Sequence, residues 1–77
     1  MDIAITASQV AKMRHALGLD RAASYYRNRY TVDQIQPEWE DLISKGLAFK
    51  TPLENGVCYR VSIFGKEWLR EARILND

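Results

Sequence analysis

Apolar side chains recur three and four residues apart near the N-terminus, at Val10, Met13 and Leu17. This spacing is typical of one face of a helix. Thr6 and Gln9 match a capping box, in which each side chain bonds the backbone of the other, and Gly18 can end the helix in a left-handed conformation. The pattern predicts a helix over about residues 7–17. Before it, Ile3 and Ile5 alternate with polar or small residues, which suits a short strand or an apolar contact with the core.

The next stretch combines a helix start with a dense group of aromatic and basic residues. Asp20 can cap a short second helix, and Asn28 is a natural place for that helix to end. Three tyrosines and two arginines then fall within six residues, at Tyr25, Tyr26, Arg27, Arg29 and Tyr30. We expect Tyr26 and Tyr30 to help fill the core, with the arginines solvated. The alternative is a contact surface that pairs with phosphates or stacks on bases.

A third helix is predicted from near Gln36 to Lys45, because Pro37 is tolerated in the first turn of a helix and costly inside one. Gly46 provides the stop. The apolar stripe of this helix consists of Trp39, Leu42 and Ile43. Its first turns are acidic, with Glu38, Glu40 and Asp41. Carboxylates in this place suit the positive end of the helix dipole.

Alternating apolar and polar residues over 49–61 predict a β-hairpin, and its turn decides which side chains share a face. A two-residue turn over 55–56 would pair Leu53 with Cys58 and divide the large apolar residues between the two faces. A three-residue loop, with Gly56 left-handed, would collect them on one face. The pairs of this second register are Leu53 with Val57, Thr51 with Tyr59, and Phe49 with Val61. We predict the second register, in which the outward residues are Lys50, Pro52, Cys58 and Arg60.

Ser62 can cap a last helix. The inward stripe of this helix consists of Phe64, Trp68, Leu69, Ala72 and Leu75. Gly65 is a poor helix former, so close packing against a neighbouring element is expected at that position. Taken together, the elements predict an α+β fold in a single domain, residues 1–77. It has three N-terminal helices, a hairpin and a C-terminal helix.

Composition and charge place the chain among folded globular proteins, with 47% hydrophobic and 27% charged residues. No window approaches the ~18 apolar residues of a membrane helix, and the N-terminal sequence does not match a secretory signal, so we expect a cytoplasmic protein without membrane contact. The net charge is only +1, but it is unevenly distributed. Residues 1–30 hold five basic and two acidic side chains, whereas residues 31–56 hold five acidic and two basic ones.

Candidate catalytic and metal-binding chemistry is sparse. Cys58 is the only cysteine and His15 the only histidine, so neither an internal disulfide nor a zinc site is expected. No serine, cysteine or carboxylate is placed by the sequence to make His15 a general base. The acidic residues around Glu38 suit a helix start better than a divalent-cation site. We therefore predict that the chain is not an enzyme and needs no cofactor or metal.

Residues 42–69 resemble the winged-helix regulators of the multiple-antibiotic-resistance type. The matching pattern consists of Leu42, Gly46, Leu47, a hairpin, Tyr59, Val61, Ser62, Gly65 and Leu69. The resemblance implies a compact winged-helix-like domain, in which the helix before the hairpin enters the major groove of DNA and the hairpin is a wing that reaches the backbone. Separately, residues 15–19, residues 26–30 and the Trp39 helix together are similar to small proteins encoded by phages and prophages.

The acidic first turns of the third helix change what this resemblance implies for DNA binding. Carboxylates near phosphates are repulsive, and Lys45 is the only basic residue of that helix. Contact with DNA is therefore expected at basic residues elsewhere, namely Arg14, Arg21, Arg27, Arg29, Lys50 and Arg60. The leading hypothesis is a non-catalytic DNA-binding regulator or accessory factor of phage or prophage type.

Two alternatives use other surfaces. The first is a phage-encoded inhibitor of a host complex that handles nucleic acid, of the anti-CRISPR or anti-restriction type. In this hypothesis the phosphate mimics are Glu38, Glu40 and Asp41. The near-zero net charge and the acidic cluster favour it. The second alternative is a structural or assembly protein that forms a homodimer through Ile74 and Leu75 of the C-terminal helix.

Overall fold

The fold is α+β, with three helices packed on one three-stranded antiparallel sheet in the part of the chain that a computed structural model describes, residues 4–19 and 27–72. The elements in chain order are α1 (Ala7–Leu17), β1 (Tyr30–Val32), α2 (Pro37–Ser44), β2 (Ala48–Leu53), β3 (Gly56–Val61) and α3 (Ile63–Glu71). The strand order is β1-β3-β2, so β3 is central. The helices of these two ranges reach at most 11 residues, and none of them could cross a membrane.

Helix α1 begins and ends where the sequence predicted. The Thr6 hydroxyl accepts a hydrogen bond from Gln9 N at 3.1 Å, and Gln9 Oε1 accepts one from Thr6 N at 2.8 Å, which completes the capping box. Gly18, with φ 83°, ends the helix. Before the helix, Ile5 packs against the core and residues 4–6 are not a strand, so of the two expectations the apolar contact is confirmed. Ile3 lies outside the described residues.

Helix α2 also follows its prediction, with Gln36 as the residue before its first turn and Lys45 as the residue after its last. Trp39 and Leu42 are fully buried, and Ile43 packs against the core. The apolar stripe at helical spacing therefore identified the buried face correctly.

Strand β1 changes the order of elements from the one predicted. Most of the expected second helix, from Asp20 to Asn28, lies outside the described residues, whereas residues 27–29 are not helical and residues 30–32 form a strand. Tyr30 and Val32 pack against the core, and Thr31 is exposed. Three residues are too few for alternation to stand out in a sequence. Within residues 33–47, all of which are described, α2 is the only helix between β1 and β2.

The hairpin register differs from both registers considered from the sequence, and the prediction was wrong. Leu53 pairs with Gly56 across a two-residue turn, Glu54 and Asn55. Gly56 is not left-handed but begins β3, where a Cβ would lie 2.2 Å from Val32 O. The glycine is thus required by the close approach of β1, a strand that was not predicted from the sequence.

This register places the apolar residues of the hairpin on two faces. Val57, Tyr59 and Val61 face the helices and are buried. Phe49 and Leu53 lie on the other face, called here the outer face, and each is 46% exposed. Cys58 and Arg60 share the outer face, as predicted, although Cys58 is buried between its strand neighbours. Lys50 and Pro52, predicted to face outward, lie instead on the inner face, where they pair with Tyr59 and Val57. Both are nevertheless exposed.

The core lies between the inner face of the sheet and the three helices. Its largest fully buried side chains are Trp39, Tyr59, Met13, Leu17, Leu42, Leu47, Leu69 and Val61. Trp39 stacks on Tyr59, with ring centroids 5.3 Å apart and planes 11° apart. Stacked rings add to the burial energy of a small core.

Helix α3 closes the core. Ser62 caps it, because its hydroxyl accepts a hydrogen bond from Gly65 N at 3.0 Å, as the sequence predicted. Of the expected apolar stripe, Leu69 is buried and Trp68 packs against the core, but Phe64 is 38% exposed and Ala72 is exposed. The stripe was therefore predicted too wide. Leu75 lies outside the described residues.

Candidate nucleic-acid interface

The acidic side chains of α2 link the helix to its neighbours. Glu38 accepts a hydrogen bond from the Ser8 hydroxyl at 3.1 Å, and Lys12 Nζ lies 3.7 Å from the same carboxylate oxygen. Both partners belong to α1. Glu38 therefore joins two helices that the sequence separates by about 30 residues, and its charge is partly balanced inside the molecule.

Glu40 and Asp41 have closer partners. The Tyr59 hydroxyl donates to Glu40 at 2.7 Å and Lys50 Nζ donates to it at 2.9 Å; these bonds hold the pKa of Glu40 below its ordinary value. Lys45 Nζ donates to Asp41 at 2.7 Å and Gln9 Nε2 at 2.9 Å, which lowers the pKa of Asp41 in the same way. Both carboxylates are therefore ionised at neutral pH, each beside a lysine.

Lys50, a predicted DNA contact, is thus engaged in binding α2 to β2. Because Lys50 lies on the inner face of the sheet, its side chain is directed toward Glu40 rather than toward the arginines. The structure does not bring Lys50 together with the other predicted basic residues.

Arginine side chains gather instead around a groove along β1, an edge strand of the described sheet. We call it the basic groove. Its volume is about 370 Å³, and its lining consists of His15, Arg27, Arg29, Tyr30, Thr31 and Val32. Two of the predicted DNA contacts, Arg27 and Arg29, are therefore placed together, and they meet a histidine and a tyrosine.

The end of α1 holds the segment that carries these arginines. Arg27 donates to the carbonyl oxygen of His15 through Nη2 at 2.7 Å and Nε at 3.2 Å, and Arg29 N donates to Ala16 O at 2.9 Å. These carbonyls belong to the last turn of the helix, where a cation is favoured by the helix dipole. Local capping thus fixes residues 27–29 against α1.

Asn28 fixes the same segment against the sheet. Its side-chain amide accepts a hydrogen bond from Val61 N and donates one to Val61 O, both at 2.8 Å. The β1–β3 register, Tyr30 with Tyr59, places residue 28 opposite Val61 when it is continued. The amide therefore takes the place of a strand backbone at this position, and the continued register assigns Arg29 to the position opposite Arg60. The sequence indicated Asn28 only as a helix end, and no pattern in it marks this role.

Aromatic rings connect the basic groove with the core. The His15 ring meets the Tyr30 ring edge-on, with centroids 5.6 Å apart, and the Tyr30 ring lies 5.3 Å from that of Trp39. Lys12 Nζ lies 5.7 Å from the Tyr30 centroid, within cation–π distance. Lys12, which is not among the contacts predicted from the sequence, therefore adds positive charge next to Tyr30. Tyr30 itself is half-buried, as expected.

The remaining predicted contacts are dispersed. Arg60, on the outer face, donates to the Thr51 hydroxyl at 3.2 Å. Arg14 is exposed on α1, where it donates to Leu19 O at 3.4 Å, and it does not line the basic groove. Arg21 lies outside the described residues. In residues 4–19 and 27–72, no three potential metal ligands come together.

Comparison with known proteins gives no further guide to the site. No protein-family model matches the chain, and neither the curated proteins nor the solved structures include a significant match.

Proposed function

We propose that the chain is a non-catalytic DNA-binding protein, a regulator or accessory factor of phage type with a winged-helix-like domain. The basic groove and the neighbouring Arg60 are its contacts with the DNA backbone. The observation that carries this proposal is the position of Arg29, which is exposed while the backbone around it is bonded both to α1 and, through Asn28, to β3. A guanidinium on a fixed backbone is suited to phosphate recognition.

The sheet supports the winged-helix-like interpretation. The hairpin of β2 and β3 follows α2 directly, and β1 joins β3 on the side away from β2. Helix α2 is not proposed to enter the major groove, because the side chains of its first turns are carboxylates that repel phosphate. DNA contact is assigned instead to the surface where β1 meets the end of α1.

A salt series of DNA binding tests this function, measured by fluorescence anisotropy with a duplex and a single strand of equal length. We expect the logarithm of affinity to fall linearly with the logarithm of salt concentration. Replacing Arg29 with alanine should reduce that slope by about one, because one phosphate contact is lost. The control is Arg14→Ala, which removes an exposed arginine outside the basic groove and should leave the slope unchanged.

Two results would contradict the proposal. If neither form of DNA binds at ~50 mM salt, the DNA-binding function is excluded. If DNA binds but R29A keeps the wild-type slope, the basic groove is not the contact surface. The variant is expected to stay folded, because the bond from residue 29 to α1 comes from the backbone.

The acidic face of α2 supports a second proposal, an inhibitor of a host nucleic-acid-handling complex. Glu40 and Asp41 are ionised at neutral pH, as a phosphate mimic requires, and their hydrogen bonds lower the pKa of each further. We rank it second, since Glu38, Glu40 and Asp41 each have a lysine within 3.7 Å that offsets the charge. A host protein that binds the wild type and still binds after charge reversal of these three residues would exclude the acidic face. The proposed dimer residues, Ile74 and Leu75, lie outside the described residues.

A further inference from the structure

We propose that the outer face of the sheet binds a single strand of nucleic acid, with a base stacked on Phe49 and phosphates paired with Arg29 and Arg60. This inference rests on the proposed function, because Arg29 belongs to both surfaces, and it names the form of nucleic acid that is bound.

Phe49 and Arg60 pair across the sheet, and Arg29 joins the same line when the β1 register is continued by one residue before Tyr30; we call these three residues the cross-strand row. Phe49 pairs with Arg60 in the β2–β3 ladder. On the other side of β3, the Asn28 side chain bonds Val61, the residue that the continued β1 register assigns to position 28, and the same continuation assigns Arg29 to the position opposite Arg60. Neighbouring strands are ~4.8 Å apart, so the row extends over about 10 Å.

The cross-strand row is open to solvent. Phe49 is 46% exposed and Arg29 is exposed, while Arg60 is half-buried. The bond from Arg60 to the Thr51 hydroxyl orients its guanidinium along the same face. In the next row, Thr31 and Thr51 flank the small side chain of Cys58, so the surface beside the arginines has no large protrusion.

An exposed aromatic ring beside two arginines has the chemistry of a single-strand contact. Stacking on Phe or Tyr is open to every base, and arginine supplies both phosphate pairing and stacking. In a duplex the base faces are already covered by their neighbours, so Phe49 could contact one only after a base is unstacked. A single strand presents its base faces directly.

Charge also determines which end of the outer face is used. Asp33 follows β1 and Glu54 lies in the hairpin turn, so the end opposite the cross-strand row is acidic. Phosphates are attracted to Arg29 and Arg60 and repelled from the turn. Leu53, at that acidic end, is as exposed as Phe49 but has no cationic neighbour in its ladder pair.

The matched pair Phe49 and Leu53 provides the experiment, since both lie on β2, on the same face and with equal exposure. Binding of labelled oligothymidylate, about 12 nucleotides long, is compared with binding of a duplex of the same length by fluorescence anisotropy. We expect the single strand to bind more tightly. Phe49→Ala should weaken single-strand binding about tenfold, whereas Leu53→Ala and the binding of duplex by F49A should change by less than about twofold. Phe49→Trp, which keeps a ring to stack on, should retain the affinity.

The outcomes separate the two proposals. If wild-type protein binds neither probe at ~50 mM salt, both proposals are overturned. If DNA binds and the R29A slope changes, but F49A binds the single strand as wild type does, DNA binding stands and the outer face is excluded. Tighter binding to the duplex likewise overturns only the single-strand inference. Loss of binding in F49A together with rescue in F49W supports it, and the rescue rules out misfolding as the cause.

Discussion

At position 65, glycine is required by a neighbouring carbonyl group. The Leu47 carbonyl oxygen accepts a hydrogen bond from Ser62 N at 3.0 Å, and it lies 2.1 Å from where a Cβ on Gly65 would be placed. That added Cβ would also lie 2.8 Å from Val61 Cγ1. The absence of a side chain thus lets α3 pack directly on the start of β2 and the end of β3.

Replacing Gly65 with alanine is expected to lower the free energy of unfolding by about 1–3 kcal/mol, because the added methyl group overpacks a backbone contact. Helix propensity alone would favour alanine by up to about 1 kcal/mol, so the sign of the effect is the test. Urea unfolding measures it. Ile63→Ala, at a first-turn position that is 77% exposed, is the control and should change stability by less than about 0.5 kcal/mol. A G65A variant more stable than wild type would contradict the close approach.

At the scale of elements, a side chain completes the sheet. Central strand β3 is paired by Ala48 on one side of Val61, and by the Asn28 amide on the other. Both backbone groups of Val61 that face β1 are thereby satisfied, although β1 itself begins only at Tyr30. The amide extends the pairing of β3 to Val61, two residues beyond the Tyr30–Tyr59 pair, and anchors the residue next to Arg29.

Asn28→Ala is expected to reduce the free energy of unfolding by about 1–3 kcal/mol, since it leaves a backbone donor and acceptor in a partly buried place without partners. It should also weaken DNA binding more than its effect on stability explains, because Arg29 is no longer held in the cross-strand row. Urea unfolding and anisotropy on the same samples separate these effects. Asn55→Ala, in the exposed turn, is the matched control; equal behaviour of the two variants would exclude the role assigned to Asn28.

The three described helices could be predicted because their signals are local. Thr6, Pro37 and Ser62 mark their starts, and each signal needs only the few residues that follow it. The register of the hairpin could not be predicted, because Gly56 is required by the approach of Val32 and not by its own turn. Phe49 was accordingly predicted to share a face with Val57, Tyr59 and Val61, whereas it lies on the outer face.

The candidate site was predicted in part, for the same physical reason. Arg27 and Arg29 were selected as a basic pair, and the groove brings them together. Nothing in the sequence indicates that Lys50 is paired with Glu40, or that Asn28 bonds Val61, because these contacts join residues ten to thirty-three positions apart. Tertiary pairing decides which charges are available to a ligand, and spacing along the chain does not reveal it.

At the scale of the whole molecule, the separation of charge along the sequence is largely cancelled in space. The acidic segment around α2 is folded against three lysines, Lys12, Lys45 and Lys50. Arginines line the basic groove and the outer face instead. The near-neutral net charge therefore conceals an uneven distribution, in which the three lysines beside α2 are paired with carboxylates, whereas Arg29 and Arg60 belong to the candidate contact surface.

Because the carboxylates beside these lysines can be protonated, we expect the stability of the fold to decrease at acidic pH. The pKa values of Glu40 and Asp41 are lowered from 4.5 and 3.8, so the folded state binds their protons less readily than the unfolded state does. Their contribution is present above those ordinary values and is lost as the pH falls through the lower, folded-state values. We expect the contribution of these two groups to the free energy of unfolding to be nearly constant from about pH 7 to pH 6. At pH values under about 4.5 this contribution should decrease.

Urea unfolding across this pH range checks the expectation. Glu40→Gln should be less stable at neutral pH, and its stability should decline less steeply on acidification, because one of the two titrating groups is gone. Glu54→Gln, in the exposed turn, serves as the control and should keep the wild-type decline. An E40Q profile that coincides with that of the wild type would show that the Tyr59 and Lys50 bonds to Glu40 do not contribute to stability.

The ring contacts through Tyr30 have an optical consequence. Tyr30 touches His15 in the groove on one side and the buried indole of Trp39 on the other. Indole emission responds to the rings and charges packed around it, and Trp39 is the more deeply buried of the two tryptophans. A ligand that displaces the Tyr30 ring is therefore expected to change the emission of Trp39 without contacting the indole. We therefore expect intrinsic tryptophan fluorescence to report binding in the basic groove without a label.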